Sequence, residues 1–359
     1  MTPLEEHLRR LIAVEGPLTI GRFMAEVLGH PRWGYYATRD PLGRAGDFIT
    51  APEVSQMFGE LLGLWSIERW QAMAAPDRLL WVELGPGRGS LTADALRAAG
   101  AVAAFGAAIE VHLVETSPTL RAIQERTLAD HAPIWHQRLA ELPAAPAIFI
   151  ANEFFDALPV RQWQRTAEGW RERQVGPGDD GLRLVLAPPA PPPEMPAALA
   201  TAPIDGVVEI APARQAVMAE LAGHIVEHGG AGLIVDYGHA VSAPGDTLQA
   251  VKDHRYAPIL ADPGEADLTA HVDFQALGAA AREAGAQAWP VIEQGAFLRR
   301  LGIEARAGML KAGADAAQAA DIDRALHRLT AADQMGSLFK VMAVTVPGDG
   351  PPAGFEDAA

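Results

Sequence analysis

Cysteine is absent from the 359 residues. That excludes structural disulfides, a cysteine nucleophile and thiolate metal sites. Basic side chains are outnumbered, 29 against 45 acidic ones, for a net charge of −16. A nucleic-acid binder needs a basic face to neutralise phosphates, so this balance argues against that class. It suits a basic partner, such as a cationic side chain on another protein, and much of it serves solubility. No apolar run approaches the roughly 18 residues that span a bilayer. The N-terminus, Met1-Thr-Pro-Leu-Glu-Glu-His-Leu-Arg-Arg, has early acids and no apolar h-region, unlike a signal peptide. Nor is it Ser-rich and acid-free, as a transit peptide would be, so a soluble cytoplasmic protein is expected. Gly-x-Ser-x-Gly is missing, and no Ser-His-Asp set stands out. His224 and His228 have i,i+4 spacing that can bind metal, but no third ligand is evident and no metal is expected.

What the chain does have is 49% hydrophobic residues, enough for one large core or two smaller ones. The organising stretch is Leu79-Leu-Trp-Val-Glu-Leu-Gly-Pro-Gly-Arg-Gly-Ser90. Its first six residues have the pattern of a buried parallel strand. Gly85, Gly87 and Gly89 break it, and a helical pattern follows from Ser90. Strand, glycine turn, helix is the opening unit of a dinucleotide-type fold. Glycines there let the backbone turn tightly and approach a ligand, and the helix start offers N–H groups to polar or anionic atoms. A nicotinamide fingerprint reads G-x-G-x-x-G; here the last glycine comes one place early.

Before this stretch the chain reads as helical over residues 1–75. Leu4, Leu8, Leu11 and Ile12 repeat at helix spacing, a second helix ends near Gly29, and a long helix runs from Glu53 to Trp70 with Pro52 at its start. After it come strands around residues 111–115, 133–138 and 147–152. Glu115 ends the first of these, where the ribose-binding acid of such folds is expected. Residues 160–211 leave the α/β rhythm: 162–165 and 170–175 pair as a hairpin, 182–186 adds a strand, and 187–196 is too proline-dense for core. This is an inserted flap. A helix over 215–228 and a buried strand ending at Asp236 follow. A polar loop leads to a helix capped by Asp267 or Thr269. Residues 288–292 and 338–346 supply the last strands, and 348–359 is expected to be a disordered tail. The core is thus 76–159 with 212–347.

The pattern Glu83-x-Gly-x-Gly-x-Gly89 resembles the first motif of S-adenosylmethionine (SAM) methyltransferases. Read with Gly46-Asp-Phe-Ile-Thr-Ala-Pro-Glu-Val-Ser, Asn152-Glu-Phe-Phe-Asp-Ala-Leu-Pro, Val235-Asp-Tyr-Gly, Asp267-Leu-Thr-Ala-His-Val-Asp-Phe and Gln294-Gly-Ala-Phe-Leu, it resembles the MidA family. These are SAM-dependent methyltransferases whose mitochondrial members help assemble respiratory complex I. The resemblance implies an α/β fold: a Rossmann-like, class I methyltransferase sheet of seven strands, one antiparallel, with helices on both faces. It implies SAM as cofactor and, for the mitochondrial members, methylation of an arginine on a complex I subunit.

On that resemblance, the turn Gly85, Gly87, Gly89 and Ser90 would admit the methionine part of SAM, with Glu83 orienting nearby groups. Glu115 would accept from both ribose hydroxyls, and Leu139 would border the adenine. Thr50, with Asp47 and Ser55, belongs to a segment that would fold over the cofactor. Asn152, Glu153 and Asp156 would face the glycines, with Glu153 and Asp156 holding a guanidinium; a helix cap is the rival role for Asp156. Phe154 and Phe155 read better as core. A small-molecule methyltransferase and a SAM-binding assembly factor without turnover are the other readings.

Overall fold

The computed structural model describes residues 1–38, 50–179, 181–192 and 194–356. They divide into two compact units: 1–38, 156–179, 181–192, 194–216 and 241–273 form the first, and 50–155, 217–240 and 274–356 the second.

The second unit is built on one sheet. Its strands lie in the order Gln287–Ala288, Phe339–Thr345, Gly230–His239, Ala147–Asn152, Leu79–Leu84, Ile109–Val114, Ile134–His136. Gly230–His239, Ala147–Asn152, Leu79–Leu84, Ile109–Val114 and Ile134–His136 run parallel. Phe339–Thr345 is antiparallel to Gly230–His239, with Val235 opposite Val341. Every residue of Leu79–Leu84 and of Ala147–Asn152 is buried, the signature of a sheet covered on both faces. These two strands are neighbours in the sheet but not in the chain, so the sheet order reverses between them. Ligands of open α/β sheets bind at such a reversal, beyond the carboxyl ends of the strands.

The first unit draws on three separate stretches of chain. Helix Pro3–Glu15 is capped by Thr2 and buries Leu4, Leu8 and Ile12; helix Ile20–Gly29 is capped by Thr19. The predicted hairpin exists, as Arg161–Thr166 against Gly169–Pro177, extended by Leu18–Thr19, Leu182–Leu186 and Val207–Ile210. A second, small sheet joins Arg255–Ala257, Gln249–Lys252 and Asp267–Thr269.

Several expectations are corrected. The stretch 1–75 is not one segment: 1–38 belongs to the first unit and helix Gln56–Ala72 to the second. Residues 160–211 are not an isolated flap, since they share a unit and a core (Val160, Val175 with Leu4, Phe23 and Leu268) with the N-terminal helices. The helix expected from Glu53 to Trp70 is interrupted. Ser55 is extended, and its hydroxyl caps a new helix by accepting from the Met57 N–H, which leaves Ala51–Val54 as a separate turn. Asp267–Thr269 is a strand, not a helix start; the helix begins at Phe274. Its backbone pairs with Gln249–Val251, and the Asp267 carboxylate is taken by the Tyr36 hydroxyl, so no helix cap is available to it. Of the expected disordered tail, residues 348–356 are described and fold back: Phe355 is fully buried beside Phe297, and Arg300 donates to the Gly354 carbonyl.

Candidate functional site

The glycine turn lies at the tip of Leu79–Leu84. Gly85, Gly87 and Gly89 take φ of +62°, +53° and +81°, a region closed to most side chains. A Cβ on Gly85 would stand 2.8 Å from the Phe154 ring, so the glycine also admits that ring. Gly89 is the left-handed residue from which helix Ser90–Ala99 starts.

Glu83 is 3% exposed, and its carboxylate accepts from the Thr92 hydroxyl, which in turn accepts from Trp81 Nε1. Burial pushes its pKa up to about 7. Glu83 therefore braces the strand against the helix that follows the turn.

Glu115 follows strand Ile109–Val114. One carboxylate oxygen accepts from the Ser117 N–H at 2.7 Å and the other from Gln124 Nε2 at 3.2 Å. Burial raises its pKa. The same Gln124 amide donates to the Gly87 carbonyl at 2.7 Å, and its oxygen accepts from Trp135. Gln124 thus ties the acid to the glycine turn. Nothing in the motifs marked it; its only signal is a place two helical turns after the Ser117 cap. Leu139 is buried in a single turn, Leu139–Glu141, after strand Ile134–His136.

At the tip of Ala147–Asn152, Glu153 is a non-glycine residue with φ +50°. Such conformations cost about 1–3 kcal/mol and cluster at functional sites. Its N–H donates to the Val235 carbonyl, and its Oε1 accepts from the Ala51 N–H at 3.0 Å and Asn152 Nδ2 at 3.3 Å. Phe155 is fully buried, its N–H held by Asp236, and Phe154 meets it edge-on. Thr50 occupies the cap position of Ala51–Val54 without a side-chain cap bond. Asp47 lies outside the described residues.

Within the second unit the structure therefore gathers Asn152 and Glu153 with the Gly85 turn, through Phe154 and the Ala51–Val54 segment. Asp156 belongs to the first unit. It is 5% exposed, and its carbonyl accepts from the Ala270 N–H and from Arg214. Arg214 also donates to the carbonyls of Leu158, Ala270 and His271. Asp156 and Asp267 both act on Tyr36, whose pKa burial and these two acids drive well above the ordinary value.

His224 Nε2 lies 3.0 Å from the Ala145 carbonyl, and its ring packs on His228. Among the described residues, His7, Glu26 and His30 place potential ligand atoms within 4.8 Å of one another. Arg22 already pairs with Glu26 at 2.8 Å, and His30 Nδ1 accepts from the N–H groups of Arg32 and Trp33. A neutral ring that accepts at Nδ1 carries its proton on Nε2, so this group is satisfied as a hydrogen-bonded cluster.

A parallel sheet with its order reversed beside a left-handed glycine turn, and a buried acid at the next strand tip, defines a nucleotide-cofactor fold of the methyltransferase kind. Residues 61–291 match the Methyltransf_28 family model, described as an S-adenosyl-L-methionine-dependent methyltransferase. The rat protein arginine methyltransferase NDUFAF7, mitochondrial, is 39% identical over 96% of this chain and 84% of its own length. The human protein of that name is 40% identical over 86% and 76%. A COG1565 superfamily structure from Burkholderia thailandensis, bound to S-adenosyl-homocysteine, superposes with a TM-score of 0.84 at 31% identity, covering 95% of this chain and 91% of that one.

The chain belongs to this SAM-dependent methyltransferase family, and SAM is its cofactor. The residues present fit that cofactor: positive-φ glycines allow close backbone approach, and both oxygens of Glu115 keep acceptor capacity for a ribose diol beyond the bonds they make. The cytoplasmic expectation does not stand, because the curated relatives are named mitochondrial. No helix among the described residues is long and apolar enough to cross a membrane.

Proposed function

We propose that this methyltransferase acts on an arginine side chain of a protein substrate, with Glu153 as the acceptor-side acid. The observation that carries the reading is Glu153: a carboxylate held at a strand tip in a costly left-handed conformation, next to the glycine turn. The naming of close relatives as protein arginine methyltransferases supports the choice of acceptor.

Guanidinium stays protonated at ordinary pH and is a poor nucleophile. A carboxylate accepting from its fork draws positive charge toward one nitrogen and leaves the other richer in electrons. Bound SAM supplies an electrophilic methyl group on a sulfonium. The chain's own work is positioning: Asn152 and the Ala51 N–H fix the Glu153 carboxylate, and Glu153 holds the acceptor nitrogen in line. As the new N–C bond forms and the C–S bond breaks, the acceptor's proton passes to a carboxylate or to water. Leu139 bordering the adenine, Glu115 on the ribose and Thr50 in the segment over the cofactor would complete the proposed contacts, with Gly85, Gly87, Gly89 and Ser90 around the methionine. A subunit of respiratory complex I is the first acceptor to examine.

The test is labelled SAM in a native lysate, with mass-spectrometric mapping of the modified residue. Methyl-arginine that disappears with Glu153→Gln, while S-adenosylhomocysteine affinity holds, is the expected result. Label on a small molecule, or SAM binding without any transfer, would overturn the reading.

A further inference from the structure

Glu53 lies within the Gly46–Ser55 motif, where the sequence alone assigns it no role. It lies in the short helix Ala51–Val54 and is half-buried. Its Oε1 accepts from Ser90 Oγ at 2.7 Å. Ser90 opens the ten-residue helix Ser90–Ala99 directly after the left-handed Gly89. A helix start ordinarily attracts anions. Here a carboxylate is already fixed against it, so a ligand group arriving at that point is favoured if it is cationic. The carboxylate is also well anchored. Two residues before it, the Ala51 N–H is bonded to Glu153, so the segment is tied to one strand tip and to the helix that follows the other. A carboxylate offers about four acceptor positions, and the Ser90 bond uses one of them.

The methionine end of SAM carries both an ammonium and a carboxylate, and Glu53 discriminates between them by charge. We propose that Glu53 binds the α-ammonium of the cofactor's methionine moiety. This rests on SAM as cofactor and not on the identity of the methyl acceptor.

The experiment is calorimetric titration of the full chain and its Glu53→Gln variant with two ligands. One is S-adenosylhomocysteine; the other is 5′-methylthioadenosine, which lacks the amino-acid end. Loss of a charge-assisted hydrogen bond should weaken S-adenosylhomocysteine by about tenfold or more and leave methylthioadenosine within about twofold. Equal weakening of both ligands would mean that Glu53 only shapes the turn, and no weakening of either would remove it from the site; each outcome overturns the proposal. Should Glu53→Gln not fold, the unaltered protein still decides. It should bind the S-adenosylhomocysteine analogue bearing hydroxyl in place of the α-amino group about tenfold more weakly than S-adenosylhomocysteine, and equal affinity would refute the assignment.

Discussion

The two units hold together by different means. The central strands of the second bury all their residues, on both faces, and their contacts are almost wholly apolar. The first has strands that are only partly buried, alternating between buried and half-exposed positions in Val207–Ile210. Its distant stretches are joined by polar links: Arg161 with Glu172, Gln162 with Glu209 and Asp246, Tyr36 with Asp267, and Arg214 with a set of carbonyls. An apolar core answers to lost volume, whereas a polar network answers to lost partners. The units should therefore differ in what damages them, and four substitutions probe that difference.

Phe355→Ala should have the largest effect. The ring is fully buried against Phe297, and truncating such a side chain costs about 3–5 kcal/mol. Chemical denaturation should show the loss in the second unit's transition. An unchanged midpoint would mean that residues 348–356 contribute nothing to that core.

Glu83→Gln should act in the opposite direction. Glu83 is the polar exception in a buried strand, and its pKa is raised from 4.5 to about 7. The folded form thus holds a proton that the unfolded form releases, so stability falls as pH rises from about 4.5 to about 7 and stays reduced above. Glutamine retains the bond from Thr92 without the buried charge. A gain on the order of 3 kcal/mol is expected at pH 8, and almost none at pH 4. Equal effects at both pH values would contradict the assigned ionisation.

Gly87→Val strains a backbone at φ +53° and fills space beside the turn. S-Adenosylhomocysteine should bind about a hundredfold more weakly, while the first unit's melting is unaffected. Normal affinity would remove the turn from the cofactor site.

How much was legible follows the same division. Apolar runs announce buried parallel strands, so 79–84, 111–115, 147–152 and 232–236 stand out, which the structure gives as 79–84, 109–114, 147–152 and 230–239, with turn glycines and the acid Glu115 at their tips. The hairpin was also readable, as runs 162–165 and 170–175 on either side of Glu168-Gly169. What escaped depends on partners far away in sequence. The Asp267 segment has good helix-cap chemistry, yet it pairs with Gln249–Val251 and gives its carboxylate to Tyr36. Ser55 looks like the interior of a helix and instead caps a new one. Gln124 and Glu53 gain their roles from contacts 37 residues away, which no local pattern encodes.

The smallest effect, Tyr36→Phe, tests whether the first unit is in fact governed by polar partners. The phenol donates to both oxygens of Asp267 at 3.0 and 3.1 Å, and Asp267 is 6% exposed. Phenylalanine keeps the ring and deletes only the donor, leaving a buried carboxylate with one partner fewer, at a cost of about 1–2 kcal/mol. Burial and the nearby acids Asp267 and Asp156 hold the tyrosine pKa well above its ordinary value. A raised acid pKa keeps the proton in the folded state, so this bond contributes fully below the unfolded value of about 10 and changes only above it. The difference in stability between Tyr36→Phe and the unaltered chain should therefore be flat from pH 6 to pH 9, in contrast to Glu83→Gln over the same range. A difference that varies across that range would show that the hydroxyl is not the un-ionised donor its geometry describes, and the contrast between the units would lose its electrostatic half.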